Sequence, residues 1–176
     1  STHGKTEPVD FKAALLKGLA PDGGLFMPES IPSLDFTEIL KHKDNFHQLS
    51  FEVLQPFIGD EIPESDLKKI VQDAFNFPIP LTPLGRDITL VELFHGPTFA
   101  FKDFAARFMA RTMSYFLTDT QLTILVATSG DTGSAIGNAY WGLSNIQIHI
   151  FYPSGKVSPL QEKQLTTMGG NIHAFE

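Results

Sequence analysis

The sequence has no cysteine, which excludes a disulfide framework, a thiolate metal site and a cysteine nucleophile, and suits a reducing cytoplasm. It also lacks any run of Lys and Arg. Thirteen basic residues stand against 20 acidic ones, for a net charge of −7. With no basic stripe, nucleic acid and anionic membrane are disfavoured as partners. No apolar run approaches the ~20 residues needed to span a bilayer. Internal repeats and low-complexity segments are missing as well. The chain opens at Ser1 rather than at a methionine, which leaves room for a targeting segment removed before this numbering. The six histidines, at positions 3, 42, 47, 95, 149 and 173, show no metal-ligand spacing, so no metal is assigned. What the chain has in plenty is phenylalanine, 16 in 176 residues, enough to supply a Phe-rich core.

The chain reads as two regions. Residues 1–80 form a mostly helical domain. A helix through Val9–Leu19 ends at Gly18, and Pro21-Asp22-Gly23-Gly24 is a turn, proline setting φ and glycine supplying positive φ. Further helices are expected over Phe36–Lys43, over Phe46–Phe57 with a break at Pro56, and from Ile62 to about Phe77. A proline-rich loop over 78–87 follows. Residues 81–176 read as the first, truncated part of an α/β domain. Ile88–Phe94 is strand-like and stops at His95-Gly96-Pro97, and a helix covers 102–117. Leu122–Ala127 is a continuous apolar run, as expected of a parallel strand covered on both faces. Helix Ser134–Leu143, strand Ile146–Tyr152, helix Ser158–Met168 and strand Asn171–Phe175 complete a β-α-β-α-β unit with a parallel sheet. Three such strands ending at Glu176 leave sheet surface uncovered, so a longer parent chain is expected.

Three stretches carry chemistry, each with a plainer alternative. Lys102 sits between Phe101 and Phe104 at the mouth of a helix. Those rings would strip water from its ammonium and lower its pKa, and the helix N-terminus would add a smaller push. A lysine activated in this way forms Schiff bases; the alternative is an amphipathic lysine reaching solvent. The Thr128-Ser129-Gly130-Asp131-Thr132-Gly133 loop joins a strand to a helix start, where amides and hydroxyls can take an anion. Its alternative is an ordinary turn with Asp131 or Thr132 as N-cap. The triplet Asp131-Thr132-Gly133 also matches the aspartic-protease signature, although those enzymes carry it in an all-β setting. The Ser154–Pro159 loop shares the same rim, and Lys156 and Ser158 can hold a phosphate. Equally, Ser158 can be an N-cap with Pro159 as the first helical residue.

Five stretches in order resemble one family: Ala20–Glu29, Phe57–Pro63, Glu92–Phe104, Ala127–Gly133 and Tyr152–Lys163. They are similar to threonine synthases of the bacterial and fungal branch, pyridoxal-phosphate enzymes built like the tryptophan synthase β chain. The Glu92–Phe104 stretch resembles that family's cofactor-lysine motif, with Lys102 in the lysine's place. The resemblance implies an incomplete fold-type-II pyridoxal-phosphate domain and a carbon–oxygen lyase acting on phosphate. The reaction would turn O-phospho-L-homoserine and water into L-threonine and phosphate, the last step of threonine biosynthesis, in the cytoplasm.

It also implies roles. Lys102 would hold pyridoxal 5'-phosphate as an imine and then shuttle protons. Thr128, Ser129, Gly130 and Thr132 would receive the substrate carboxylate. Lys156 and Ser158 are assigned to its phosphate from the placement of their loop on the same rim, not from the resemblance. Asp131 would lie beside the cofactor, at a position where relatives of this fold carry asparagine; an ionised aspartate cannot donate a hydrogen bond there. The cofactor's phosphate loop and the hydroxyl for its ring nitrogen would come from later sequence, so the remainder of the chain is needed and the fragment alone is expected to be inactive. Two same-fold alternatives are a threonine-synthase-like phospholyase and an amino-acid dehydratase. A third alternative is a non-enzymatic metabolite-binding remnant.

Overall fold

The structure, a computed structural model, describes residues 1–176. Two compact units emerge, Ser1–Asp73 and Ala74–Glu176. Residues 74–80 group with the second unit, where Phe75 and Phe77 both meet the Phe104 ring.

The first unit holds α1 (Phe11–Lys17), α2 (Phe36–Leu40), α3 (Phe46–Ile58) and most of α4 (Glu64–Ala74). Side-chain caps fix three of the starts. Asp10 accepts from the Ala13 amide, Asp35 from Thr37 and Glu38, and Asn45 from Gln48, satisfying amides that have no intrahelical acceptor. Pro56 does not break α3, as the sequence suggested, but lies inside it. Only Phe57 and Ile58 follow before Gly59 ends the helix, so the missing N–H costs one bond in the last turn. Leu67, Ile70 and Val71 form the buried stripe of α4, as expected from their spacing.

The second unit begins with an antiparallel pair, β1 (Leu81–Pro83) and β2 (Thr89–Val91). Helix α5 (Lys102–Phe116) leads to β3 (Leu122–Ala127), then α6 (Asp131–Tyr140), β4 (Ile146–Phe151), α7 (Pro159–Thr166) and β5 (Ile172–Phe175). The last three strands make one parallel sheet in the order β3-β4-β5, the expected β-α-β-α-β unit. Ile146, Ile148 and Ile150 of β4 are fully buried. Helix α6 lies on β4, with α7 beside it and α5 against its other flank. Asn171 ties the end of α6 to the sheet, its amide donating to the carbonyls of Tyr140, Leu143 and Ile146.

Further expectations are corrected. The stretch read as a loop over 78–87 contains β1, because Leu81–Pro83 finds a backbone partner in Thr89–Val91. Helix α6 starts at Asp131 rather than Ser134, because the turn is completed within Thr128–Gly130. And β3 is covered on one face only: Leu125 is 69% exposed, and Phe151 and Phe175 share its open face at 45% and 44%. Helices α6 and α7 pack on the isoleucine side, where Gly133 lies against both Ile150 and Leu165, so the apolar run of β3 includes a face with no helix on it. No helix is long and apolar enough to cross a membrane.

Candidate active site

Strand β2 is shorter than the sequence suggested, ending at Val91, because the next residue turns its side chain to other work. Glu92 accepts from the Thr82 hydroxyl at 2.6 Å and pairs with His95 Nε2 at 2.6 Å. These two hydrogen bonds, the Thr82 one foremost, and the charge of His95 hold its carboxyl below the usual range. Past His95 the chain reverses: the Phe99 amide donates to the Gly96 carbonyl, and Phe99 adopts φ 61°, a left-handed conformation that costs a bulky L-residue energy.

Asp103 holds that reversal. It is fully buried, and its carboxylate accepts from the Thr98 amide at 2.9 Å and the Thr98 hydroxyl at 2.6 Å. Gly96 is needed for this approach, since a Cβ there would lie 2.4 Å from Asp103 Oδ2. Sequence reasoning passed over Asp103, although an acid in the first turn of α5 was a usable signal.

Lys102 is therefore the first residue of α5, carried on a pinned turn. Its surroundings differ from those expected. Phe104 turns away to Phe75 and Phe77, with ring centroids at 5.9 and 4.9 Å. Phe101 is 62% exposed and offers its face to the ammonium, Nζ lying 4.7 Å from the ring centroid. A ring face attracts a cation. The two phenylalanines therefore do not dry the lysine; helical geometry sends Phe104 to the core face of α5. The side chain of Lys102 is 32% exposed, and Nζ lies 3.6 Å from Asp131 Oδ2.

Asp131 is the first residue of α6. Neither it nor Thr132 caps the helix. Gly130 is the N-cap, and the Thr128 hydroxyl oxygen two residues earlier accepts from the amides of Gly130 and Gly133, each at 3.0 Å. The Thr128 oxygen faces inward, while Ser129, Asp131 and Thr132 are exposed. The amides of Asp131 and Thr132, at the first two helical positions, have no intrahelical acceptor.

The third stretch supplies a residue that sequence reasoning did not single out. Ser158 is the N-cap of α7, with Pro159 first in the helix. Gln161 completes a Ser-x-x-Gln capping-box pattern that was readable in the sequence. Its side chain does not return to the cap amide. Instead Gln161 Nε2 donates to Asp131 Oδ1 at 2.6 Å, and the Ser158 hydroxyl donates to Gln161 Oε1 at 3.0 Å. Lys156 is exposed in the loop before α7.

A cleft of about 450 Å³ opens at the carboxyl ends of β3, β4 and β5, lined by Thr128, Ser129, Phe151, Tyr152, Phe175 and Glu176 among others. Burial, with the charges of Glu162 and Glu176, pushes the Tyr152 phenol up. Neither Lys102 nor Asp131 lines the cleft. The structure thus sets Lys102 beside Asp131, links Asp131 to Ser158 through Gln161, and places Thr128 and Ser129 on the cleft. It leaves Thr132, in the first turn of α6, and Lys156, in the loop before α7, exposed.

Residues 1–75 match the family model described as the threonine synthase N terminus. A threonine synthase from Serratia marcescens is 50% identical over 169 residues, 95% of this chain and 39% of its own length. The crystal structure of pyridoxal-phosphate-bound threonine synthase from Brucella melitensis superimposes with a TM-score of 0.93 at 40% identity, over 99% of this chain and 39% of that one. Threonine synthase from Escherichia coli gives a TM-score of 0.86 at 47% identity, over 94% and 39%. The chain spans about two fifths of the length of the relatives it matches.

Proposed function

From this correspondence, in sequence and fold, to the N-terminal part of threonine synthases, we propose that the whole protein converts O-phospho-L-homoserine and water to L-threonine and phosphate. It would act as a pyridoxal-phosphate-dependent carbon–oxygen lyase in the cytoplasm. The observation that carries the reading is the placement of Lys102 as the first residue of α5, its amine 3.6 Å from the Asp131 carboxylate at the start of α6. The distance is too long for a hydrogen bond, the pair is part-exposed, and such pairs are weak. No short hydrogen bond ties the amine down, so once it has given up a proton it can condense with an aldehyde, releasing water, and the residues fit the cofactor. When bound, that cofactor supplies an electron sink that acidifies carbon-bound hydrogens beside the substrate's amino group.

The chain's own residues would do the rest. Lys102 Nζ takes and returns protons as general base and acid. The Ser129 and Thr132 hydroxyls and the free amides at the start of α6 receive the substrate carboxylate, with Gly130 allowing close backbone approach. Thr128 shapes that loop through the amides it accepts. Lys156 takes the leaving phosphate; Ser158 assists once its hydroxyl leaves Gln161. Asp131, accepting from Gln161, orients the lysine.

Borohydride reduction of the cofactor-loaded full-length protein, followed by peptide mass mapping, tests the central assignment. A pyridoxyl adduct on Lys102 is expected, and one on any other lysine overturns it. Assaying phosphohomoserine against serine and threonine separates the synthase from a dehydratase.

A further inference from the structure

Asp131 is 57% exposed in its side chain, and an exposed carboxylate ordinarily samples several orientations. Here one oxygen is occupied. Gln161 Nε2 donates to Oδ1 at 2.6 Å, which leaves Oδ2 turned to Lys102. The amide itself has a fixed polarity. Its Oε1 accepts from the Ser158 hydroxyl at 3.0 Å, while the same hydroxyl oxygen accepts from the Gln161 backbone N–H at 3.3 Å; Nε2 is the end left for the carboxylate. The backbone makes room for this bridge. Gly130 has φ 142°, and a Cβ there would meet Cδ, Nε2 and Oε1 of Gln161 at 2.7 to 2.8 Å.

We propose that Gln161 is a positioning residue of this site: its side-chain amide, oriented by Ser158, fixes Asp131 so that one carboxylate oxygen is presented to Lys102. The role rests on the proposed function only in its consequence for the cofactor lysine. The geometry ties α7 to the chemistry of α5 through a residue that touches neither the lysine nor the cleft.

The test is the acylation rate of Lys102 by dilute acetic anhydride in cofactor-free full-length protein, read by peptide mass spectrometry against the chain's other lysines. An amine held beside a carboxylate reacts more slowly than a free one. Gln161→Met keeps the volume and removes the donor, and is expected to raise the Lys102 rate roughly two- to fivefold, the range of a part-exposed ion pair. Asp131→Ala should do the same, and adding Gln161→Met to Asp131→Ala should change nothing more. A merely structural glutamine would alter Lys102 equally with and without Asp131, and that result, or an unchanged rate, overturns the proposal. If Gln161→Met fails to fold, Ser158→Ala must shift the rate in the same direction by a smaller factor, and no shift is equally fatal. Because this readout needs no cofactor, it can succeed when borohydride labelling misses Lys102, and the reverse.

Discussion

Lys102 and Asp131 face each other, and each is the first residue of its helix; the two turns that deliver them are held in opposite ways. The turn before α5 is held within its own segment. Asp103 reaches back five residues to Thr98, and the cost of the left-handed Phe99 is met by bonds inside Gly96–Asp103. The turn before α6 is closed locally by Thr128, but the carboxylate it delivers is set by Gln161, 30 residues further on. The lysine's place is therefore written in its own motif, whereas the carboxylate's direction depends on a different loop.

The largest effects should come from breaking the local turn. Gly96→Ala puts a Cβ 2.4 to 2.9 Å from three Asp103 atoms, and Asp103, fully buried and bonded to Thr98, has nowhere to move. We expect a loss of about 3 kcal/mol in the denaturant unfolding of the full-length protein, at the upper end for overpacking. Asp103→Ala leaves the Thr98 amide and hydroxyl without an acceptor and should cost about 2 kcal/mol, as for bonds to a charged group. If either variant unfolds at the parent's denaturant midpoint, the local turn is not what places Lys102.

The second turn should respond differently. Gly130→Ala asks an L-residue to adopt φ 142° and pushes on Gln161. The backbone strain should cost on the order of 1–3 kcal/mol, but the glutamine end is flexible and can yield. The diagnostic change is then chemical. Lys102 acylation should rise as expected for Gln161→Met, whereas a pure stability loss with an unchanged Lys102 rate would sever Gly130 from the bridge.

This contrast explains what could be read in the sequence. The helices, the parallel strands and the first residue of α5 were legible because period, turn chemistry and capping are local signals. The start of α6 was missed because its cap is a glycine served by Thr128, not an Asp or Thr at the cap itself. The drying of Lys102 was misjudged because sequence neighbours on a helix point to different sides: Phe104 faces Phe77, while Phe101 stays in solvent. Gln161 was invisible as a partner of Asp131, since nothing in a Ser-x-x-Gln pattern says that the amide will leave its own cap for another loop. The open face of β3 could not be separated from a covered one by an apolar run alone.

The smallest expected effect tests how far the local turn is fastened upstream. Glu92 bridges Thr82 of β1 and His95 at the turn's entry, and its carboxyl is held below its ordinary value. A group with a depressed folded-state pKa contributes stability that is complete above its unfolded value. That contribution is lost as pH falls through the folded value. The fastening should therefore be at full strength at neutral pH and release only in the acid range. Glu92→Gln should flatten that part of the stability–pH curve, leaving the difference between parent and variant smallest at the acid end. A difference independent of pH would mean that Glu92 acts through shape and neutral hydrogen bonds alone. The entry to the lysine turn would then owe nothing to charge, and its placement would rest on Gly96 and Asp103.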